Sequence, residues 1–311
     1  MLGPVLFVLY TSPLSDLICS HPVSHQLFAD DTQLQKSGTP ADMQTIISDL
    51  QACTTDIKSW MNENKLKLND DKTEALLFSP PSVSLSCTLP SSIPVGSHSI
   101  PFTPAARNLG FILDTELSMK KHVSKVCQAT FFELKRIGSI RRYLTDEATK
   151  TLVTSCVLSR LDYCNSLLMG CPLSVIQPLQ KVQNSAARLI FKAPHHQPCT
   201  PLLKELHWLP VSERINYKVA CICYNSLTGV GPPYLTELLH IYTPSRTLRS
   251  SSDTLTLKLP RYKRKSHGYR SFSSYGPQLW NSLPYHVRHS PSIDSFKKNL
   301  KTYLFNCHNN P

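Results

Sequence analysis

The 311-residue sequence predicts an α+β chain, with a mixed sheet and helices in its first part and a mainly helical second part. Three observations carry that expectation. Two short strand-like pieces flank a tight acidic turn at Asp30-Asp31. Apolar residues at three- and four-residue steps run from Met43 to Met61. Beyond Ser118 the pattern changes to amphipathic helices carrying lysines on one side. The chain is therefore expected as segments 1–116, 117–228 and 229–311.

In order along the chain, residues 2–9 form an apolar run, expected as a buried element. Residues 23–36 should be a hairpin around Asp30-Asp31. A helix should open at Thr39, which can cap it, with Pro40 at the first helical position and Asp42 in the first turn. Met43, Ile46, Ile47, Leu50, Cys53, Ile57, Trp60 and Met61 would share its apolar face. Asn69-Asp70-Asp71 offers a turn, and residues 73–78 are expected to return as a strand. Residues 79–104 are dense in serine and proline and predict a loop, enclosing one hairpin around Val95-Gly96. Residues 108–114 close the first segment as a strand.

After Ser118, Val123, Val126, Phe131, Leu134 and Ile137 define one helix face. Further helices are expected over 145–169, 174–192, 212–227 and 292–305. Between them lies a Pro-, Ser- and Tyr-rich stretch with a basic run at 258–265.

Composition narrows the function classes. No stretch approaches the roughly 20 apolar residues of a bilayer span, and residues 2–9 lack the basic flank and cleavage site of a signal peptide. The 11 cysteines are odd in number and scattered, so ordinary thiols in a reducing intracellular setting are expected, not a disulfide framework. Lysine and arginine total 33 against 21 aspartates and glutamates, for a net charge of +12, which favours polyanionic partners such as nucleic acid. Cys156, Cys164, Cys171, His195, His196 and Cys199 lack the paired spacing of a zinc site. No Walker loop, nucleophile triad or dinucleotide motif occurs.

Adjacent aspartates at a hairpin tip repel each other unless a cation lies between them, so Asp30 and Asp31 point to a magnesium site. A solvated turn is the competing account, since aspartate is favoured in turns for its own backbone hydrogen bonds. Lys72 stands either near a bound triphosphate or simply exposed beside an acidic turn. Lys120, Lys121, Lys125, Lys135, Arg136, Arg141 and Arg142 on the helices after Ser118 are candidates for phosphate contact, against a solvated charged face. The same alternatives hold for Arg261, Lys263, Arg264 and Lys265, with Tyr262 and Tyr269 available for base stacking.

Phe28-Ala29-Asp30-Asp31-Thr32 resembles the Tyr/Phe-Ala-Asp-Asp box of LINE-type (non-LTR) retrotransposon reverse transcriptases. Other segments resemble that family in its order. Leu2-Gly3-Pro4-Val5-Leu6-Phe7 is similar to the end of the palm segment before the box. Residues 66–74 resemble the segment after it, and residues 108–114 the primer-grip hairpin. Arg188-Leu189-Ile190, Leu206-His207-Trp208-Leu209-Pro210, Arg270-Ser271-Phe272-Ser273 and residues 279–284 resemble the thumb and C-terminal region.

The resemblance implies a partial polymerase palm, a helical thumb and a C-terminal extension from a parent RNA-directed DNA polymerase. That parent works on an RNA template and DNA primer with two magnesium ions, one activating the primer hydroxyl and one holding the triphosphate. Asp30 would be the main ligand from the box and Asp31 its support. By resemblance, the family's other essential aspartate and its fingers lie upstream of the segment with which this sequence starts. The expectation is a fragment that does not polymerise alone, with a non-catalytic nucleic-acid-binding remnant or an unselected relic as alternatives.

Overall fold

The computed structural model describes residues 2–79, 91–95, 98–243, 255–261 and 268–309, with residues 98, 308 and 309 described by backbone alone. The chain divides into two units, Met1–Leu117 and Ser118–Pro311, one residue beyond the expected boundary. The whole is α+β, mainly helical with small antiparallel sheets.

In the first unit, prolines set both opening helices, α1 (Gly3–Thr11) and α2 (Pro13–Cys19), because a first-turn proline gives up no helical hydrogen bond. Strands β1 (Ser24–Phe28) and β2 (Asp31–Gln35) pair antiparallel as the expected hairpin. The next helix begins with a 3-10 turn at Pro40–Asp42, where the Thr39 N–H and hydroxyl both donate to the Asp42 carboxylate at 2.9 and 2.7 Å. Helix α3 (Met43–Glu63) follows. Its spacing buries Cys53 and Ile57 against Leu14 and Ile18 of α2, with Leu34, Trp60 and Met61 packed on that cluster. Strands β3 (Ser92–Val95) and β4 (His98–Pro101) form a second hairpin, and β5 (Ala105–Asn108) with β6 (Phe111–Asp114) a third.

Several expectations about this unit need correction. The mixed sheet is three separate two-stranded antiparallel hairpins among the described residues. Residues 73–78 form no strand: a 3-10 turn at Asp70–Lys72 precedes them, and only Ala75 finds a partner, through a parallel bridge to Phe102. A strand is stabilised by its ladder, and one bridge does not make a ladder. Residues 108–114 are the β5–β6 hairpin turn and second strand together, because Gly110 permits the reversal. The apolar run 2–9 is helical but contributes nothing to the core, since no residue of α1 is buried and Leu2 and Leu9 are 73% and 64% exposed.

The second unit is built on α4 (Lys120–Ile140) and α7 (Leu173–Phe191), which lie against each other. Val123, Thr130, Leu134 and Ile137 of α4 face inward at helical spacing, but Phe131 is 44% exposed, on the flank of that stripe. The helix expected over 145–169 breaks up. Thr145 caps α5 (Asp146–Val153) through its hydroxyl, a π-helical turn spans Thr154–Leu158, and α6 (Ser159–Asp162) stops where Tyr163 turns extended and Cys164 takes φ 51°. Arg214 holds that stop by a two-pronged pair with Asp162, with Nε at 2.8 Å from Oδ1.

Helices α8 (Cys199–Glu205) and α9 (Val211–Leu227) come next, then a short α10 (Pro233–Thr236). Helices α11 (Phe272–Ser282) and α13 (Ile293–Asn309) pack on α9, with α12 (Tyr285–Arg288) against α13. Tyr224, Trp280 and Phe296 cluster at the centre of this packing, Tyr224 stacking on Phe296 at 4.4 Å. Each polar handle is satisfied: the Tyr224 hydroxyl donates to Ser290 O and Trp280 Nε1 to Leu255 O. Asn281 grips both backbone groups of Leu257 at 2.8 Å.

Candidate acidic hairpin and basic surfaces

The β1–β2 register closes at Phe28 opposite Asp31, leaving Ala29 and Asp30 as a two-residue turn. Such tight turns need positive φ at a central position, and here Ala29 supplies it at 55°. Asp30 therefore stands at the tip and Asp31 at the first position of β2. Both are exposed, and neither forms an ion pair with any described residue.

A second hairpin lies beside this one. Gln33 on β2 donates from Nε2 to Asn108 Oδ1 at 2.6 Å, and Asn108 ends β5. The β5–β6 turn has positive φ at both central residues, Leu109 at 45° and Gly110 at 82°, the combination that matches the strands' right-handed twist. Two segments 75 residues apart in sequence are thus joined side chain to side chain. Lys72 is exposed on the Asp70–Lys72 turn, while Asp70 is held by Lys58 at 2.8 Å. No bond joins Lys72 to Asp30 or Asp31 among the described residues.

The acidic tip offers a divalent ion two adjacent carboxylates. Among the described residues, no three His, Cys, Asp or Glu side chains are grouped to hold a metal ion. Magnesium keeps most of its waters when only one or two carboxylates approach.

Basic residues of α4 form a coherent stripe. Helical periodicity sets Lys121, Lys125, Lys135 and Arg136 opposite Val123, Leu134 and Ile137, and Lys120 joins them at the helix start; all five are exposed. Arg136 lies over the Phe132 ring at 6.0 Å and near Glu133 at 3.3 Å, and Arg142 lies over Tyr143 at 4.6 Å. Arg141 belongs elsewhere. It is buried, its guanidinium donating to Leu189 O, Ile190 O, Leu144 O and the Asp146 carboxylate, so it closes the end of α7 and has no surface to offer nucleic acid. Arg261 is exposed, and Lys263, Arg264, Lys265 and Tyr262 lie outside the described residues. Tyr269 is half-buried and makes a T-shaped contact with Tyr275 at 5.7 Å.

Burial pushes the Cys127 thiol up to about 11 and that of Cys223 up to about 12, holding both protonated. No helix among the described residues is long and apolar enough to cross a membrane. No family model, curated protein or solved structure matches this chain.

Sequence reasoning missed two groups. Gln33 was invisible as a bridging residue because its partner lies on a distant strand. Ser185, Arg188, Lys192 and His195 line one groove; Arg188 and Lys192 lie four apart in sequence, but nothing local marks that Arg141, from a distant segment, lies with them.

Proposed function

We propose that this chain is the closing part of the palm and the thumb of a LINE-type (non-LTR) retrotransposon reverse transcriptase, and that its own capacity is to bind nucleic acid. In this reading Met1–Leu117 carries the palm segment and the α4 stripe is the thumb surface that grips an RNA template and DNA primer. The observation that carries it is the Gln33–Asn108 bond, which sets the hairpin of the acidic box beside the hairpin whose sequence resembles the primer grip. Exposed Asp30 and Asp31 at a tight turn suit cation binding, because no ion pair among the described residues offsets their repulsion.

The described carboxylates are too few for two-ion catalysis, so the chain by itself is expected not to extend a primer. The measurement is magnesium-dependent extension of oligo(dT) on poly(rA) by the full chain. The expected result is none above background. Extension that disappears in Asp30→Ala would show that the chain completes its own metal site. In this reading binding is the second property to measure, and its surface is the exposed row of α4.

A further inference from the structure

Ser185, Arg188 and Leu189 on the last turns of α7, with Lys192, Ala193 and His195 just beyond, line an open groove of about 430 Å³ floored by buried Arg141. Ser185 and Arg188 follow at i and i+3 on one helix face, and Lys192, with φ 51°, caps the end of the helix beside them. Lys192 and His195 are exposed and, among the described residues, pair with no carboxylate. Arg188 uses one of its donors, to Gln197 O at 3.0 Å, while its Nε–H is enclosed without an acceptor.

The end of a helix carries roughly half a negative charge, which by itself would repel an anion. Here that charge is already answered. Arg141 takes the Leu189 and Ile190 carbonyls, and the Ala193 N–H takes that of Arg188 at 3.0 Å. Among the described residues that line the groove none is a carboxylate, and the Asp146 carboxylate is held by Arg141. Arg188 and Lys192 therefore leave the groove net positive, with His195 and the Ser185 hydroxyl as further polar groups. Leu189 and Ala193 add apolar wall, and the volume falls within the range of small-ligand pockets.

We infer that this groove is a binding site for a phosphate ester, its phosphate held by Arg188 and Lys192 with His195 and the ester portion against Leu189 and Ala193. The site shares Arg188 and Leu189 with one segment that resembles the thumb, but it uses neither the acidic hairpin nor the exposed row of α4, so either can fail alone. The same phosphate chemistry is offered by a free nucleotide and by a nucleic-acid backbone, and the test separates them.

The full chain is titrated calorimetrically with AMP, with inorganic phosphate and with adenosine, and by anisotropy with a labelled short oligo(dT), all at low salt. Saturable one-to-one binding of AMP, absent for adenosine and competed by inorganic phosphate, supports a free-nucleotide site. Binding of oligo(dT) but not AMP supports a backbone site. In either case Lys192→Ala with His195→Ala should weaken binding about tenfold, as removing a charge-assisted hydrogen bond does. Both side chains are exposed, so the melting temperature should hold; if it falls, Lys192→Gln alone provides the comparison. Failure of every phosphate probe to saturate, equal binding of adenosine, or affinity unchanged in a variant that melts as wild type overturns the proposal.

Discussion

Ala29 holds φ 55° so that Asp30 can occupy the tip of the first hairpin, and a residue with a Cβ in that region costs about 1 kcal/mol relative to glycine. Ala29→Gly should therefore raise stability, the relief being partly offset by the larger entropy of the unfolded chain. We expect a net gain of about 0.5 kcal/mol, read as a higher denaturant midpoint at unchanged slope. A lower midpoint would mean the alanine methyl makes a contact worth more than the turn's strain. Neighbouring arginines show where single-residue reading ends. Arg141 and Arg142 are chemically identical and adjacent, yet one is buried among four acceptors and the other lies over an exposed tyrosine ring. Their difference arises because α4 ends at Ile140 and the following 3-10 turn rotates them apart, and no periodicity in the sequence marks that point.

Elements with strong periodicity were legible because one face of a helix must be apolar. The expected face of α3 supplies its buried residues Ile46, Ile47, Cys53 and Ile57, and the expected ends of α7 and α9 lie within one residue of those observed. Strands were less legible, since each depends on a partner that local sequence does not name; hence residues 73–78 looked like a strand and formed one bridge. Polar residues inside apolar faces were also hidden. His122 is 5% exposed on α4, and burial holds its pKa below the ordinary 6.5. Between that ordinary value and the lower folded one, the unfolded chain binds the extra proton, so stability falls with falling pH there. Above pH 6.5 the contribution is fully present. Thermal melts of the wild type should thus decline from about pH 6.5 downward, and His122→Gln should flatten that decline while lowering stability at neutral pH. An unchanged slope in the variant would place the acid sensitivity on other groups.

At the scale of the whole molecule, a net charge of +12 says that polyanions are attracted without saying where they sit. The structure sorts the basic residues: Arg141 is spent on backbone carbonyls and Asp146, Arg136 is shared with Glu133 and Phe132, and Lys121, Lys125 and Lys135 of α4 are exposed. The acidic box was legible because two aspartates in a turn are a local signal, whereas the bond from Gln33 to Asn108 and the groove beside Arg188 exist only once distant segments meet. Phosphate contacts leave a quantitative trace, since each cation that neutralises a phosphate releases a counterion and steepens the fall of affinity with salt. Replacing Lys121, Lys125 and Lys135 with glutamine should lower affinity for a primer-template at low salt. It should also reduce the slope of log K against log salt by about 0.7–0.9 for each phosphate that is no longer neutralised. Fluorescence anisotropy over a salt series reads both quantities. Because these side chains are exposed and lie opposite the buried face, the melting temperature should barely move, so a change in slope without a change in stability assigns the α4 stripe to the phosphate backbone. Unaltered affinity and slope would assign it to solvent instead.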